Sequence, residues 1–90
     1  MLVEIITPEK QLFSGEANAV SLPGSDGNFQ ILNNHAAIIS SLKKGEIKLS
    51  LSVLPEISGA IKKVSNTEIA IEINGGMAEF MKNKLVVLAN

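Results

Sequence analysis

Apolar and polar residues alternate with a period of two along much of this 90-residue sequence. In residues 46–53 every second residue is apolar, which is typical of a half-buried antiparallel strand. The residues that this pattern places on a core are Ile47, Leu49, Leu51 and Val53. The same alternation predicts strands at residues 2–7, 18–22, 68–73 and 77–81. A chain patterned in this way is expected to fold as sheets.

Clusters of turn-forming residues separate the alternating segments. The densest cluster is Pro-Gly-Ser-Asp-Gly-Asn at 23–28, where Gly24 and Gly27 are expected to adopt positive φ angles without a Cβ clash. Turn signals roughly every eight to twelve residues among short strands are typical of a β-sandwich or barrel. Ninety residues leave room for one domain, which we expect to span residues 1–90.

Two segments depart from simple alternation. Residues 85–88 are apolar at every position, which predicts a strand buried on both sides. Further upstream, Ile57, Ala60, Ile61 and Val64 follow helical spacing, although Gly59 weakens a helix by about 1 kcal/mol. We interpret this second segment as irregular, with a one- or two-turn helix and an extended hairpin arm as the alternatives.

Composition excludes several classes of protein. The net charge is −1, and the chain has eight lysines, no arginine, three Phe and no Tyr or Trp, which argues against nucleic-acid binding. The absence of cysteine excludes disulfides, thiolate metal sites and a cysteine nucleophile. No apolar run approaches the roughly 20 residues that span a bilayer. The N-terminus lacks the basic region followed by an apolar stretch that marks a signal peptide.

Candidate catalytic groups are few. A nucleophilic site would have to combine the single histidine, His35, with Ser25 or Ser40 and with Asp26, and no G-x-S-x-G motif supports it. One histidine without cysteine makes a poor metal site, and Asp26 lacks the spacing of a calcium loop. The Gly-Ser-Asp-Gly stretch at 24–27 lacks the lysine of a phosphate-binding loop. We therefore expect no catalytic, cofactor or metal site.

Three separated blocks carry a specific resemblance. Residues 22–37 read Leu-Pro-Gly-Ser-Asp-Gly-Asn-Phe-Gln-Ile-Leu-Asn-Asn-His-Ala-Ala, and residues 3–9 and 13–16 read Val-Glu-Ile-Ile-Thr-Pro-Glu and Phe-Ser-Gly-Glu. Residues 75–79 read Gly-Gly-Met-Ala-Glu, and residues 83–89 read Asn-Lys-Leu-Val-Val-Leu-Ala. In order and spacing the blocks resemble epsilon subunits of F-type ATP synthases. Gln30 stands at a common glycine of that family, and Asn33, Ala37 and Lys44 stand at common prolines.

The resemblance implies a fold and leaves one segment unexplained. In the family this region is a flattened β-sandwich or barrel of about ten short antiparallel strands. Residues 54–67 resemble an insertion in a hairpin that is usually short. Many members continue into a two-helix hairpin at the point where Asn90 ends this chain, so inhibition of ATP hydrolysis and nucleotide sensing are not implied.

The resemblance also implies a function and contacts. Such a subunit is not an enzyme by itself and takes no cofactor. It joins the gamma subunit to the membrane c-ring, so that the rotation driven by proton flow is coupled to ATP synthesis. The implied c-ring contacts are Asp26, Asn28 and Phe29, although Asn28 stands where some members carry an acidic residue. The implied gamma contacts are Thr7, His35 and Ser40.

The implied setting is the cytoplasmic face of the bacterial plasma membrane. There the chain would touch the membrane only through the c-ring, without forming a homo-oligomer and without binding nucleic acid. Two alternatives remain open at this point. One is an unrelated all-β adaptor of another assembly, and the other is a small hydrolase that uses a serine with His35 and Asp26.

Overall fold

Ten β-strands make up the computed structural model, which describes residues 1–57 and 59–90. Within these residues there is no helix, and the predicted all-β fold is confirmed. The strands are β1 (Leu2–Ile6), β2 (Gln11–Glu16), β3 (Ala19–Gly24), β4 (Gly27–Leu32), β5 (Ile38–Leu42), β6 (Gly45–Ser50), β7 (Ile61–Lys63), β8 (Glu68–Ile73), β9 (Gly76–Met81) and β10 (Lys84–Ala89).

The strands form two halves of five strands each. The first half has the order β2-β1-β10-β9-β5, and the second half has the order β4-β3-β6-β8-β7. The halves join where Gly24 of β3 pairs with Leu42 of β5. Strands β1 and β10 run parallel, so the prediction of antiparallel strands is wrong for this pair. No short hairpin connects these two strands, and nothing therefore forces them to run in opposite directions.

Inward side chains from both halves form one buried cluster, so the halves pack face to face. The period-two prediction of core residues is confirmed at almost every position. The following predicted core residues are at most 3% exposed: Val3, Ile5, Val20, Leu22, Ile47, Leu49, Leu51, Ile69, Ile71, Ile73, Ala78 and Phe80. Each fully buried aliphatic or aromatic side chain contributes about 1.5–3 kcal/mol through removal of apolar surface from water.

Two burial predictions are wrong. Val53 is 84% exposed, because β6 ends at Ser50 and the chain has left the sheet by this point. In β10, Leu85 and Val87 are fully buried, whereas Leu88 is 53% exposed. The strand is covered on its inner face only, because no described part of the chain packs over the outer face of the first half.

The segment with helical spacing contains a strand. Residues 61–63 form β7, which pairs antiparallel with β8 and places Ile61 opposite Ile71. Ile61 is the buried member of the spacing, whereas Ile57 and Val64 are 46% and 45% exposed. The interpretation as irregular is therefore wrong for residues 61–63, where the extended arm is the correct alternative. Position 58 of this segment lies outside the described residues.

Candidate functional site

A tight turn between β3 and β4 forms the first part of the site. Gly24 pairs with Gly27, which leaves Ser25 and Asp26 at the tip. Gly27 has a φ of 129°, as predicted, whereas the prediction of a positive φ is wrong for Gly24, which ends β3. A Cβ on Gly24 would lie 2.6 Å from the carbonyl oxygen of Gly27 and 2.8 Å from the ring of Phe29. Gly24 therefore allows the close approach of backbone and ring that a side chain would block.

Hydrogen bonds tie this turn to β5 in the first half. The backbone N–H of Ser25 donates to the carbonyl oxygen of Ser41 at 3.0 Å, and the backbone N–H of Lys43 donates to the carbonyl oxygen of Pro23 at 2.9 Å. The hydroxyl of Ser41 donates to the hydroxyl of Ser25 at 2.8 Å. These hydrogen bonds hold the tip of the turn against β5.

The residues predicted to contact the c-ring lie together at this turn. Asp26 and Asn28 are exposed, and Phe29 is half-buried and packs against the core. All three line a shallow hollow with Ile39 and Ser40 of β5. The structure thus brings Ser40, a predicted gamma contact, next to the predicted c-ring contacts.

The other two predicted gamma contacts lie apart. Thr7 follows β1 in a turn, where its Oγ1 accepts the backbone N–H of Lys10 at 3.2 Å. His35 is exposed before β5, and its ring meets that of Phe80 edge-on with centroids 6.0 Å apart. The residues Thr7 and His35 lie toward opposite ends of the first half, so Thr7, His35 and Ser40 do not form one cluster.

The alternative of a serine hydrolase finds no support in this geometry. His35 Nδ1 lies 2.7 Å from the carbonyl oxygen of Ala36, and the Ser25 hydroxyl accepts its hydrogen bond from Ser41. No hydrogen bond joins His35 to a serine or to Asp26 in the described residues. Within residues 1–57 and 59–90, no group of three or more His, Asp or Glu side chains is arranged to hold a metal ion.

A second surface was missed by the sequence analysis. It lies on the outer side of the first half and consists of Ile39, Met77, Val86 and Leu88, which we call the apolar face. The unbroken apolar run at 85–88 is the one feature of the sequence that points to this surface. Such a run does not show whether the outer side of the strand is covered or exposed. Among the described residues, no helix is both long enough and apolar enough to cross a membrane.

Comparison with known proteins identifies the family to which this chain belongs. The family model for the β-sandwich domain of ATP synthase delta/epsilon chains matches residues 1–90. The epsilon chain of Chlorobium limicola is 38% identical over 86 residues, which cover 96% of this chain and 84% of that one. The epsilon chain of Campylobacter curvus is 40% identical over 88 residues, which cover 98% of this chain and 59% of that one.

A solved structure shares the fold. The central stalk and c-ring of the mitochondrial ATP synthase of Tetrahymena thermophila, determined by cryo-EM, contains a chain that matches 99% of this one with a TM-score of 0.70. The match covers 62% of that chain at 18% sequence identity.

The protein belongs to the ATP synthase delta/epsilon chain family, and its curated relatives at 38–40% identity are epsilon chains.

Proposed function

We propose that this chain is the central-stalk subunit that links the gamma subunit to the c-ring of a proton-translocating ATP synthase. The observation that carries the proposal is the family match over all 90 residues. In this role the whole chain acts as one domain without catalysing a reaction itself. It reaches the cytoplasmic face of the bacterial plasma membrane only through its contact with the c-ring.

The fold supports a mechanical role. A subunit between a turning ring and a shaft must resist twisting, which requires that its two contact surfaces be joined by stiff structure. Here the turn at Ser25 and Asp26 is hydrogen-bonded to β5, and β5 is paired along its whole length with β9. Pairing then continues through β10 to β1. A force applied at the turn therefore passes directly into the first half of the sandwich.

The c-ring contact is assigned to the tip of the turn. Asp26 supplies an exposed carboxylate and Asn28 an exposed amide, so together they can accept and donate hydrogen bonds to polar loops. Phe29 packs against the core, and its ring lies 2.8 Å from the position that a Cβ on Gly24 would take. Phe29 therefore holds the shape of the turn and presents only part of its ring to a partner.

The gamma contact is assigned to Thr7, His35 and Ser40 on the first half. These residues follow β1, precede β5 and lie within β5, so a partner that covers the first half can reach all three. His35 is the most exposed of the three, since Thr7 and Ser40 are half-buried. We expect His35 to make the largest polar contribution.

Matched alanine substitutions test the two contacts. His35→Ala is expected to weaken binding to the gamma subunit several-fold, whereas Lys62→Ala on the second half leaves it unchanged. For the c-ring, Asn28→Ala is compared with Asn66→Ala, since both asparagines are exposed. Titration calorimetry measures gamma binding, and co-sedimentation with c-ring vesicles measures the second contact. Equal effects within a pair would remove that residue from the contact.

A further inference from the structure

The loop that carries His35 has little burial to hold it in place. Residues 33–37, which we call the His35 loop, are all exposed. A turn closes at the start of the loop, where the backbone N–H of His35 donates to the carbonyl oxygen of Leu32 at 3.1 Å. Segments with few buried contacts open easily unless hydrogen bonds hold them. The conformation of the His35 loop therefore depends on its hydrogen-bond partners.

Two hydrogen bonds reach the His35 loop from other parts of the described chain. The amino group of Met1 donates to the side-chain oxygen of Asn33, and the backbone N–H of Asn34 donates to Oδ1 of Asn83 at 2.8 Å. The second bond joins residues 49 apart in sequence and lies directly next to His35. Because the turn uses the N–H of His35, the N–H of Asn34 is left for this partner.

Asn83 is itself held in place by a tight turn and by β1. Met81 of β9 pairs with Lys84 of β10, so Lys82 and Asn83 form a two-residue hairpin loop. Both have positive φ angles, 52° and 58°, as a type I′ turn requires. The carbonyl oxygen of Asn83 accepts the backbone N–H of Leu2 at 3.2 Å. The side chain of Asn83 therefore presents its oxygen from a fixed backbone.

The residue at position 83 is not the one that the turn alone favours. Glycine is preferred at the second central position of a type I′ turn, because it adopts a positive φ without steric cost. Asparagine tolerates this conformation. What Asn83 adds is a hydrogen-bond acceptor within reach of the Asn34 N–H. The side chain thus serves the His35 loop rather than the hairpin.

We propose that Asn83 is a positioning residue, which holds the His35 loop in the conformation that presents His35 to the gamma subunit. This inference rests on the proposed function, and it adds a residue that acts on the contact through His35. In the held loop the His35 ring stands edge-on to the Phe80 ring, with centroids 6.0 Å apart. A loop that leaves its binding conformation lowers the apparent affinity by the fraction of time that it is elsewhere.

Two variants at position 83 separate the turn from the hydrogen bond. Asn83→Gly keeps the positive φ and removes the acceptor, whereas Asn83→Asp keeps an oxygen that can accept the Asn34 N–H. In titration calorimetry, Asn83→Gly is expected to weaken gamma binding by about 2- to 10-fold, and Asn83→Asp to stay within about 2-fold of the wild type. The urea midpoint of Asn83→Gly is expected to stay close to that of the wild type, because the better fit of glycine to the turn offsets the lost bond.

A double-mutant cycle with His35→Ala tests whether Asn83 acts through His35. If it does, Asn83→Gly has no further effect on gamma binding in the His35→Ala protein. Asn18→Gly is the matched control. It removes another asparagine side chain at the same end of the sandwich, whose amide donates to the Ser52 hydroxyl at 3.0 Å, and it should leave gamma binding unchanged.

NMR of the free chain measures the loop without any partner. In Asn83→Gly the amide proton of Asn34 should exchange with solvent faster than in the wild type. The ring protons of His35, the only histidine of the chain, should lose the shift that the Phe80 ring causes.

The outcomes distinguish this inference from the proposed function. Unchanged exchange and ring shifts in Asn83→Gly, or full additivity in the cycle with His35→Ala, would overturn the positioning role and leave the proposed function standing. Failure of the wild type to bind gamma would overturn the proposed function, and with it the presentation of His35 to gamma. The NMR measurements do not use gamma, so the two failures are separable.

Discussion

Replacing Gly76 with alanine tests how tightly β9 is fitted against β10. Gly76 has a φ of 149°, and a Cβ built on it lies 2.2 Å from the carbonyl oxygen of Leu88 and 2.9 Å from Cα of Ala89. Both atoms belong to the backbone of β10, which pairs with β9 at this point through Ala89 and Gly76. No side-chain rotation can relieve the overlap, so one strand must move.

The expected cost of Gly76→Ala has two parts. A residue with a Cβ held in a sparsely populated positive-φ conformation costs about 1–3 kcal/mol. Moving the strand end breaks a ladder hydrogen bond, which adds about 1 kcal/mol. The total of about 2–4 kcal/mol is a large share of the roughly 5–13 kcal/mol expected for a chain of this length.

Two other glycines separate the parts of this cost. Gly27 has a φ of 129° but no atom within 4 Å of a built Cβ, so Gly27→Ala should show only the conformational cost of about 1–3 kcal/mol. Gly59 has open space and no positive φ, so Gly59→Ala should be neutral or stabilise by up to about 1 kcal/mol.

Urea unfolding measures the series. The chain has no Trp or Tyr, so far-UV circular dichroism is the suitable probe. The expected order of destabilisation is Gly76→Ala, then Gly27→Ala, then Gly59→Ala. Equal losses of stability for Gly76→Ala and Gly27→Ala would show that the overlap with the β10 backbone adds nothing to the cost. A large loss for Gly59→Ala would show that the space around a glycine and its φ do not determine the cost.

Two further predictions concern the core and the surface. Phe80 is 1% exposed and its ring meets the His35 ring edge-on. Phe80→Ala should therefore destabilise the fold by about 3–5 kcal/mol in the same urea assay. A loss below about 1 kcal/mol would contradict the place of Phe80 in the core. Glu4 and Lys84 form an ion pair of 3.1 Å with side chains 33% and 47% exposed, so Glu4→Gln should cost less than about 1 kcal/mol. A larger loss that 0.5 M salt does not reduce would contradict a solvent-screened pair.

Much of the core could be predicted because period-two alternation directly encodes which side of a strand faces inward. It succeeded at Ile47 and Leu49, which lie on β6 between β3 and β8 and are fully buried. It failed at Val53, where the strand had already ended, and the unbroken apolar run at 85–88 wrongly predicted the burial of Leu88. Alternation distinguishes the two faces of a strand, but whether an outer face is covered depends on what packs there.

The candidate site was predictable in part. The turn at Gly24 and Gly27 follows from local residue chemistry, and the structure contains it. The hydrogen bond between Ser25 and Ser41 joins residues 16 apart in sequence, and neither residue signals the other. The parallel pairing of β1 with β10 is also a long-range property, because it depends on how the two ends of the chain meet.

Association with the gamma subunit and the c-ring is the property that a stalk subunit of an ATP synthase must show. The most direct test is an affinity pull-down of the protein from membranes of its source organism, with the tag placed after the exposed Asn90 and with intact-mass analysis of every recovered chain. Recovery of the gamma subunit and the c-ring subunit in a stable complex is the predicted result. A folded, abundant protein recovered without either subunit would rule out the stalk role and would favour an adaptor of another assembly.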